Sequence, residues 1–234
     1  MLKEGIVFNG FDTREYGMRL TGRSAPTPDE KEKKESVPFA HGSYDFSAIL
    51  GERLFENRPL TYTFVVPMRD YDRRKYSQTT LENKLMRGQI GILTDTHAPD
   101  YYYRGKCVSV STTDNWEEMK LDITVEFDCY PFKISEQPEG DILWDSFNFE
   151  LDTLQPVEFN IDGSETIELI NPGTPSVSPE VTASSEMAIQ SGNQLFTFPA
   201  GTNTNRSLRL QTGENTLTIT GNGTIKFTFR KEMI

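Results

Sequence analysis

The chain has 234 residues, with 24 Lys or Arg against 35 Asp or Glu, a formal net charge of −11. Its mass is 26.6 kDa and its isoelectric point lies near 4.8. That length calls for one large all-β domain or two domains, and the acidity argues against a protein that coats a duplex with clustered cations. The 35% hydrophobic and 25% charged content fits a folded soluble chain. There is no run of 18 apolar residues for a membrane span, and the opening residues lack the apolar segment of a signal peptide. Two cysteines are too few for a disulfide-stapled scaffold.

In chain order, the first distinctive segment is Ser24–Ser36, which holds Pro26, Pro28 and a run of mixed charges with no apolar face. Flanking strands at Tyr16–Leu20 and Val37–Ala40 would make it the tip of a long hairpin. It reads either as a plain polar loop or as a projecting arm ordered by a neighbour. Leu60, Tyr62, Phe64 and Val66 alternate with less apolar residues and stop at Pro67, which predicts a strand. Asp70-Tyr71-Asp72, followed by Arg73-Arg74-Lys75, reads as a charge cluster at a helix start; it lacks the glycine and distal glutamate of a calcium loop. The helix is expected over 77–87, with Thr79 and Glu82 as a capping box and Gly88 as its stop.

Met119 to Cys129 alternates strictly, apolar on one face and charged on the other, and predicts a strand. Tyr101–Ser111 is its expected hairpin partner, turning over Thr112–Asn115. That register sets Cys107 and Cys129 about seven residues apart along the strand, roughly 23 Å, so two free thiols are expected. A boundary is expected between residues 135 and 157. Short alternating runs then recur between turn signals such as Asp162-Gly163, Asn171-Pro172-Gly173 and Gly221-Asn222-Gly223. These predict a small antiparallel sandwich over residues 157–234.

Chemistry has little to stand on. The only histidines, His41 and His97, sit in turn-like contexts. No nucleophile elbow, HExxH, CxxC or glycine-rich phosphate loop occurs, so no catalytic, metal or cofactor site is assigned and no enzyme is expected. The charge is uneven: residues 1–113 carry +2, residues 114–168 carry −14 and residues 169–234 carry +1. This is either a solubilising face or a surface that repels phosphate or recruits a basic partner.

The opening Ile6–Met18, the block Val37–Ser47 and the block Glu56–Phe64 resemble three successive segments of siphophage distal tail (Dit) proteins. The helix, the hairpin, Phe127–Phe132 and a late Gly-rich sandwich follow in that family's order. The individual motifs are glycines, aromatics and an arginine; their order and spacing carry the resemblance.

The resemblance implies a mainly β chain. An N-terminal β-sandwich (residues 1–140) with one flanking α-helix and a projecting hairpin would build a ring. A linker (141–156) would lead to a small galectin-like antiparallel β-sandwich (157–234). It implies a structural hub: a homo-hexamer joining the tail tube protein to the tail-tip protein and to receptor-binding proteins, at the distal end of the virion tail, with DNA passing through. The chain would be made in the bacterial host cytoplasm. The hairpin would be a belt between subunits, with Arg23, Ser24, Lys31, Lys33, Lys34, Val37 and Phe39 at the oligomer interface. No sequence-specific nucleic acid and no membrane partner are implied. The alternatives are a carbohydrate-binding or tail-fibre module for host recognition, or a tube protein with an appended domain. Residues 157–234 contain no Trp, Tyr or His, so an aromatic sugar platform is missing there.

Overall fold

Every second residue from Arg58 to Val66 is buried, because a strand turns alternate side chains to opposite faces and the apolar set follows that period of two. The same rule builds most of the chain. The structure, a computed structural model, describes residues 3–36, 38–39, 41–47, 51–140, 148 and 153–234. It falls into two compact units, Met1–Lys133 with Ile234, and Ile134–Met233.

In chain order the first unit holds β1 (Ile6–Phe8), β2 (Phe11–Asp12), β3 (Arg19–Ser24), β4 (Lys34–Glu35), β5 (Tyr44–Asp45), β6 (Arg58–Pro67), α1 (Tyr71–Met86), β7 (Gly91–Asp95), β8 (Tyr101–Asn115) and β9 (Lys120–Cys129). Strand β10 (Lys133–Ser135) begins at the boundary. Seven strands run in the order β2-β1-β7-β8-β9-β6-β3, and every pair in this path is antiparallel. Their core face carries Phe8, Leu60, Tyr62, Phe64, Leu93, Leu121, Ile123, Val125 and Phe127, onto which Leu81 and Leu85 of α1 pack.

Two local expectations shift here. The helix begins at Tyr71, capped by Asp70, whose Oδ1 accepts the Arg73 N–H at 2.9 Å; the charge cluster is thus a helix start. Thr79 is interior and its hydroxyl donates to the Lys75 carbonyl at 3.3 Å. Glu82 accepts from Gln78 and Thr112 instead of capping. The β8–β9 hairpin turns over residues 116–119, with Asn115 opposite Lys120. A bulge between Cys107 and Ser109 then sets Cys107 opposite Phe127 and Cys129 opposite Gly105. The two cysteines are thus close in register, yet both thiols are free and buried.

The second unit holds β11 (Glu158–Asn171), β12 (Glu180–Ala183), β13 (Met187–Ser191), β14 (Gln194–Phe198), β15 (Gly201–Thr204), β16 (Gly213–Thr228) and β17 (Glu232–Met233). The order is β14-β13-β16-β12-β15, with β11 along β16. Asp162-Gly163 and Gly221-Asn222-Gly223 are not chain reversals. They are bends inside two continuous strands, where Gly163 faces Gly221. At the bend Gly221 and Gly223 take φ of 154° and 124°, and a side chain on Gly223 would run into the Ser184 hydroxyl. The bend lets β16 pair β13 with residues 217–220 and β12 with residues 225–228, closing a core of Val181, Ile189, Leu208, Leu217, Ile219, Ile225 and Phe227. Phe196, Phe198, Phe227 and Phe229 are buried in it, so they offer no ring to a ligand.

Residues 134–140, expected in the first domain, lie with the second unit. The Ser135 N–H donates to the Lys231 carbonyl at 3.1 Å and the Glu139 N–H to the Phe229 carbonyl at 2.8 Å. Gln155, expected in the linker, pairs its amide with both backbone groups of Ile170 in the same unit. The rest of the expected linker, apart from residues 148 and 153–156, lies outside the described residues.

A candidate interaction arm and its root

Between β3 and β6 the chain makes a long excursion. Its two legs are tied mainly by backbone bonds. The Glu56 N–H donates to the Asp29 carbonyl and the Lys31 N–H to the Leu54 carbonyl, each at 2.8 Å. Further out, Phe46 donates to Lys33 at 2.8 Å, and Lys34 and Glu35 pair with Asp45 and Tyr44. Ser24–Ser36 is therefore the outgoing leg and not the tip. Of the Val37–Ala40 stretch, expected as a returning strand, Pro38 and Phe39 form a turn and the other two residues lie outside the described ones. The return leg takes up its pairing at β5 instead.

Ion pairs run along both legs: Lys31–Glu56 at 3.9 Å, Lys33–Glu35 at 2.5 Å, Lys34–Glu32 at 2.7 Å, and Arg53–Glu30. Arg53 holds the Glu30 carboxyl below the usual carboxylate range. These pairs are exposed, and such pairs contribute little to stability. Meanwhile Phe39, Tyr44 and Phe46 are exposed, with the last two rings stacked 6.5 Å apart. A polar ladder carrying exposed aromatics buries too little surface to offset the entropy of ordering it.

The root is built differently. Arg23 Nε donates to Asp95 Oδ2 at 2.5 Å. The Tyr62 hydroxyl donates to the same oxygen at 2.8 Å, and the His97 N–H donates to Asp95 Oδ1 at 2.9 Å. Burial would lower the Arg23 pKa, but the bond and charge of Asp95 raise it overall. Burial, reinforced by Asp95, pushes the Tyr62 hydroxyl up, so it remains a donor. Beside this cluster Arg58, 6% exposed, donates from Nε to the Pro26 carbonyl at 2.6 Å and from Nη2 to the Ala25 carbonyl at 3.2 Å. Its guanidinium lies 5.5 Å from the Tyr103 ring centre.

The candidate interface residues thus separate. Arg23 is an anchor bound inward. Ser24 ends β3 opposite Thr61. Lys31, Lys33 and Lys34 lie on the outgoing leg, each in an ion pair. Phe39 is fully exposed with φ of 67°. Val37 lies outside the described residues. Asp95, together with Tyr44, Phe46 and Arg58 from the Val37–Ser47 and Glu56–Phe64 blocks, belongs to the arm and its root without being among the expected interface residues. Asp95 and Arg58 meet Arg23 and Pro26 across long stretches of chain, and nothing local signals such pairs. Among the described residues no group of three or more His, Cys, Asp or Glu is arranged to hold a metal ion, and no helix is long and apolar enough to cross a membrane.

No family model matches the chain, and no curated protein matches it. Solved structures do. The Dit protein of phage SPP1, described as a paradigm of the hub adsorption apparatus in phages infecting Gram-positive bacteria, superposes with a TM-score of 0.69 at 14% identity. The match covers 97% of this chain and 98% of that one. A chain of the phage P2 baseplate, in its activated conformation with calcium, gives a TM-score of 0.45 at 8% identity, over 99% of this chain and 98% of that one. The fold of this chain is the fold of the SPP1 Dit protein, over essentially its full length.

Proposed function

We propose that the chain is a structural hub of a siphophage tail tip, a distal tail protein without catalytic activity. The observation that carries this reading is the end-to-end correspondence in fold with the SPP1 hub protein. The arm supports it: a long polar ladder with exposed aromatics gains its missing burial when a neighbouring subunit covers it. In this reading the first domain forms a closed homo-hexameric ring through the arm, with Ser24, Lys31, Lys33, Lys34, Val37 and Phe39 at the subunit contact and Arg23 holding the root. The ring joins the tail tube protein to the tail-tip protein at the distal end of the virion, and the galectin-like domain serves as a protein–protein or spacer module toward the host-binding parts. A net charge of −11 per copy suits a channel through which DNA slides, since it disfavours phosphate binding.

Native mass spectrometry of the full chain tests the reading. The ring predicts a dominant species at six times the chain mass of 26.6 kDa. Replacing residues 27–55 by a short Gly-Ser linker is expected to abolish it while leaving both units folded. A chain that stays monomeric at every concentration, alone and with its tail-tube neighbour, refutes the ring.

A further inference from the structure

The β8–β9 hairpin carries unlike features at its two ends. At the turn, Trp116 is 71% exposed and Met119 48% exposed. Between them Glu117 is exposed and makes no ion pair among the described residues, whereas Glu118 pairs with Lys120. At the open end there is a recess of about 250 Å³ lined by Ile90, Arg104, Lys106, Tyr130, Asn57 and Asp128, the Asp128 carboxylate accepting from the Asn57 amide at 3.0 Å. Arg104 lies 5.5 Å from the Tyr130 ring centre. Neither Arg104 nor Lys106 makes an ion pair among the described residues. Ile90 is 68% exposed, and Ile92, which pairs with Arg104 across the strands, is 53% exposed.

One end is thus an acidic knob with a bare indole. The other is an aromatic recess with two cations against the one Asp128 carboxylate, of a size suited to one large side chain and below that of a drug-sized ligand site. Lys106 and Glu117 are eleven residues apart along an extended strand, roughly 35 Å, so the knob cannot reach the recess of its own chain. Complementary patches at opposite ends of one rigid element make a heterologous contact, the kind that closes a ring or grows a filament.

We propose that the turn Trp116–Met119 of one copy seats in the Arg104/Lys106/Tyr130/Ile90 recess of the next. The Trp116 indole packs on Ile90 and Tyr130, and Glu117 faces Arg104 and Lys106. This contact deepens the ring reading and rests on it, while being separate from the arm. A repeat of roughly 35 Å per subunit also suits six copies: a hexagon of that side has an equal radius, which leaves a channel wider than a DNA duplex once the thickness of one sheet-based layer is subtracted.

The test is a cross-link in the full-length chain. The pair Lys106→Cys with Glu117→Cys is expected to yield, on mild oxidation, a ladder of disulfide-linked multimers up to the ring. Within one chain the two positions lie far beyond the Cα separation of about 7 Å that a disulfide tolerates. Either single variant is expected to give no ladder. In a second arm, Lys106→Glu and Glu117→Lys are each expected to raise the concentration for half-assembly about tenfold, and the double swap to restore it to within about threefold. Trp116→Ala is expected to raise it by about a hundredfold. All these positions are exposed, so an unchanged thermal midpoint separates lost contact from lost fold. Closed six-copy rings that form no ladder and ignore the charge reversals overturn this contact and leave the ring reading standing. Absence of any oligomer at every concentration, alone and with the tail-tube neighbour, overturns both.

Discussion

Asp95→Asn tests whether the arm is held at its root by a buried charge. Asp95 Oδ2 accepts from both Arg23 and Tyr62, and its side chain is fully buried while that of Arg23 is 25% exposed. The asparagine keeps the shape but exchanges one acceptor oxygen for an amide donor, which meets either Arg23 and Tyr62 or the His97 N–H, and it leaves Arg23 without a counter-charge. Breaking a buried pair from one side costs about 3–5 kcal/mol; the partial exposure of Arg23 argues for the lower half, about 3 kcal/mol. At about 3 °C per kcal/mol for a chain of this length, the transition of the first unit is expected to fall by about 10 °C in a calorimetric scan. Amides of β3 are expected to exchange faster, since among the described residues that strand is paired only with β6. Arg23→Met should cost less, and the double variant less than the sum, with a coupling of about 2 kcal/mol. An Asp95→Asn loss under about 1 kcal/mol, or strict additivity with Arg23→Met, would falsify the anchor.

Three further outcomes are expected. Burial raises the Glu139 carboxyl, offset in part by Lys231 and the Gln155 bond. An acid whose folded pKa is raised contributes stability that is full below its unfolded value of 4.5 and is lost as pH rises through the folded value. Thermal melts from pH 4 upward should therefore show a decline that Glu139→Gln flattens; identical pH profiles for the two proteins would count against the buried carboxylate. Burial pushes the Cys107 thiol up to about 11 and the Cys129 thiol up to about 12, so neither should react with a maleimide at pH 8 until denaturant is added; rapid labelling of the native chain would contradict the packing. Gly223→Ala, placed at a positive φ against Ser184, should cost about 2 kcal/mol or more and lower the denaturation midpoint of the second unit alone; an unchanged midpoint would mean that the bend tolerates a side chain.

What is legible in the sequence follows apolar period. The strands at 60–66 and 119–129 announce themselves, because one buried face forces a period of two. The start of the helix is hidden because its first two turns carry no apolar inward side. Arg74 occupies the inward position, with its Nη1 donating to the Met68 and Arg69 carbonyls and its Nε to Asp114, while Tyr71 and Tyr76 are exposed. A buried arginine gives no apolar signal, so the downstream Thr79–Glu82 pattern imitates a start. The Gly-Asn-Gly stretch at 221–223 imitates a reversal because positive φ serves a tight turn and a strand bend alike. The arm is visible as a segment but its legs are not, since a ladder made of backbone bonds leaves no trace in side-chain pattern. The root, with Asp95 and Arg58, depends on contacts between distant segments and is not readable at all.

The position of β16 sets the order in which the second unit can be made. This strand partners β11, β12 and β13, yet it is nearly the last to leave the ribosome. Glu158 waits for Lys226, most of the unit's length away, and closing so long a loop precedes any gain from the pairing. The β13–β14 hairpin, local in sequence, is the natural first structure. Three strands stay without their central partner until synthesis is almost complete, whereas strands β1 to β9 have all been translated by residue 129. A nascent chain stalled before Gly213 would therefore carry every strand from β1 to β9 together with a second unit that still lacks β16.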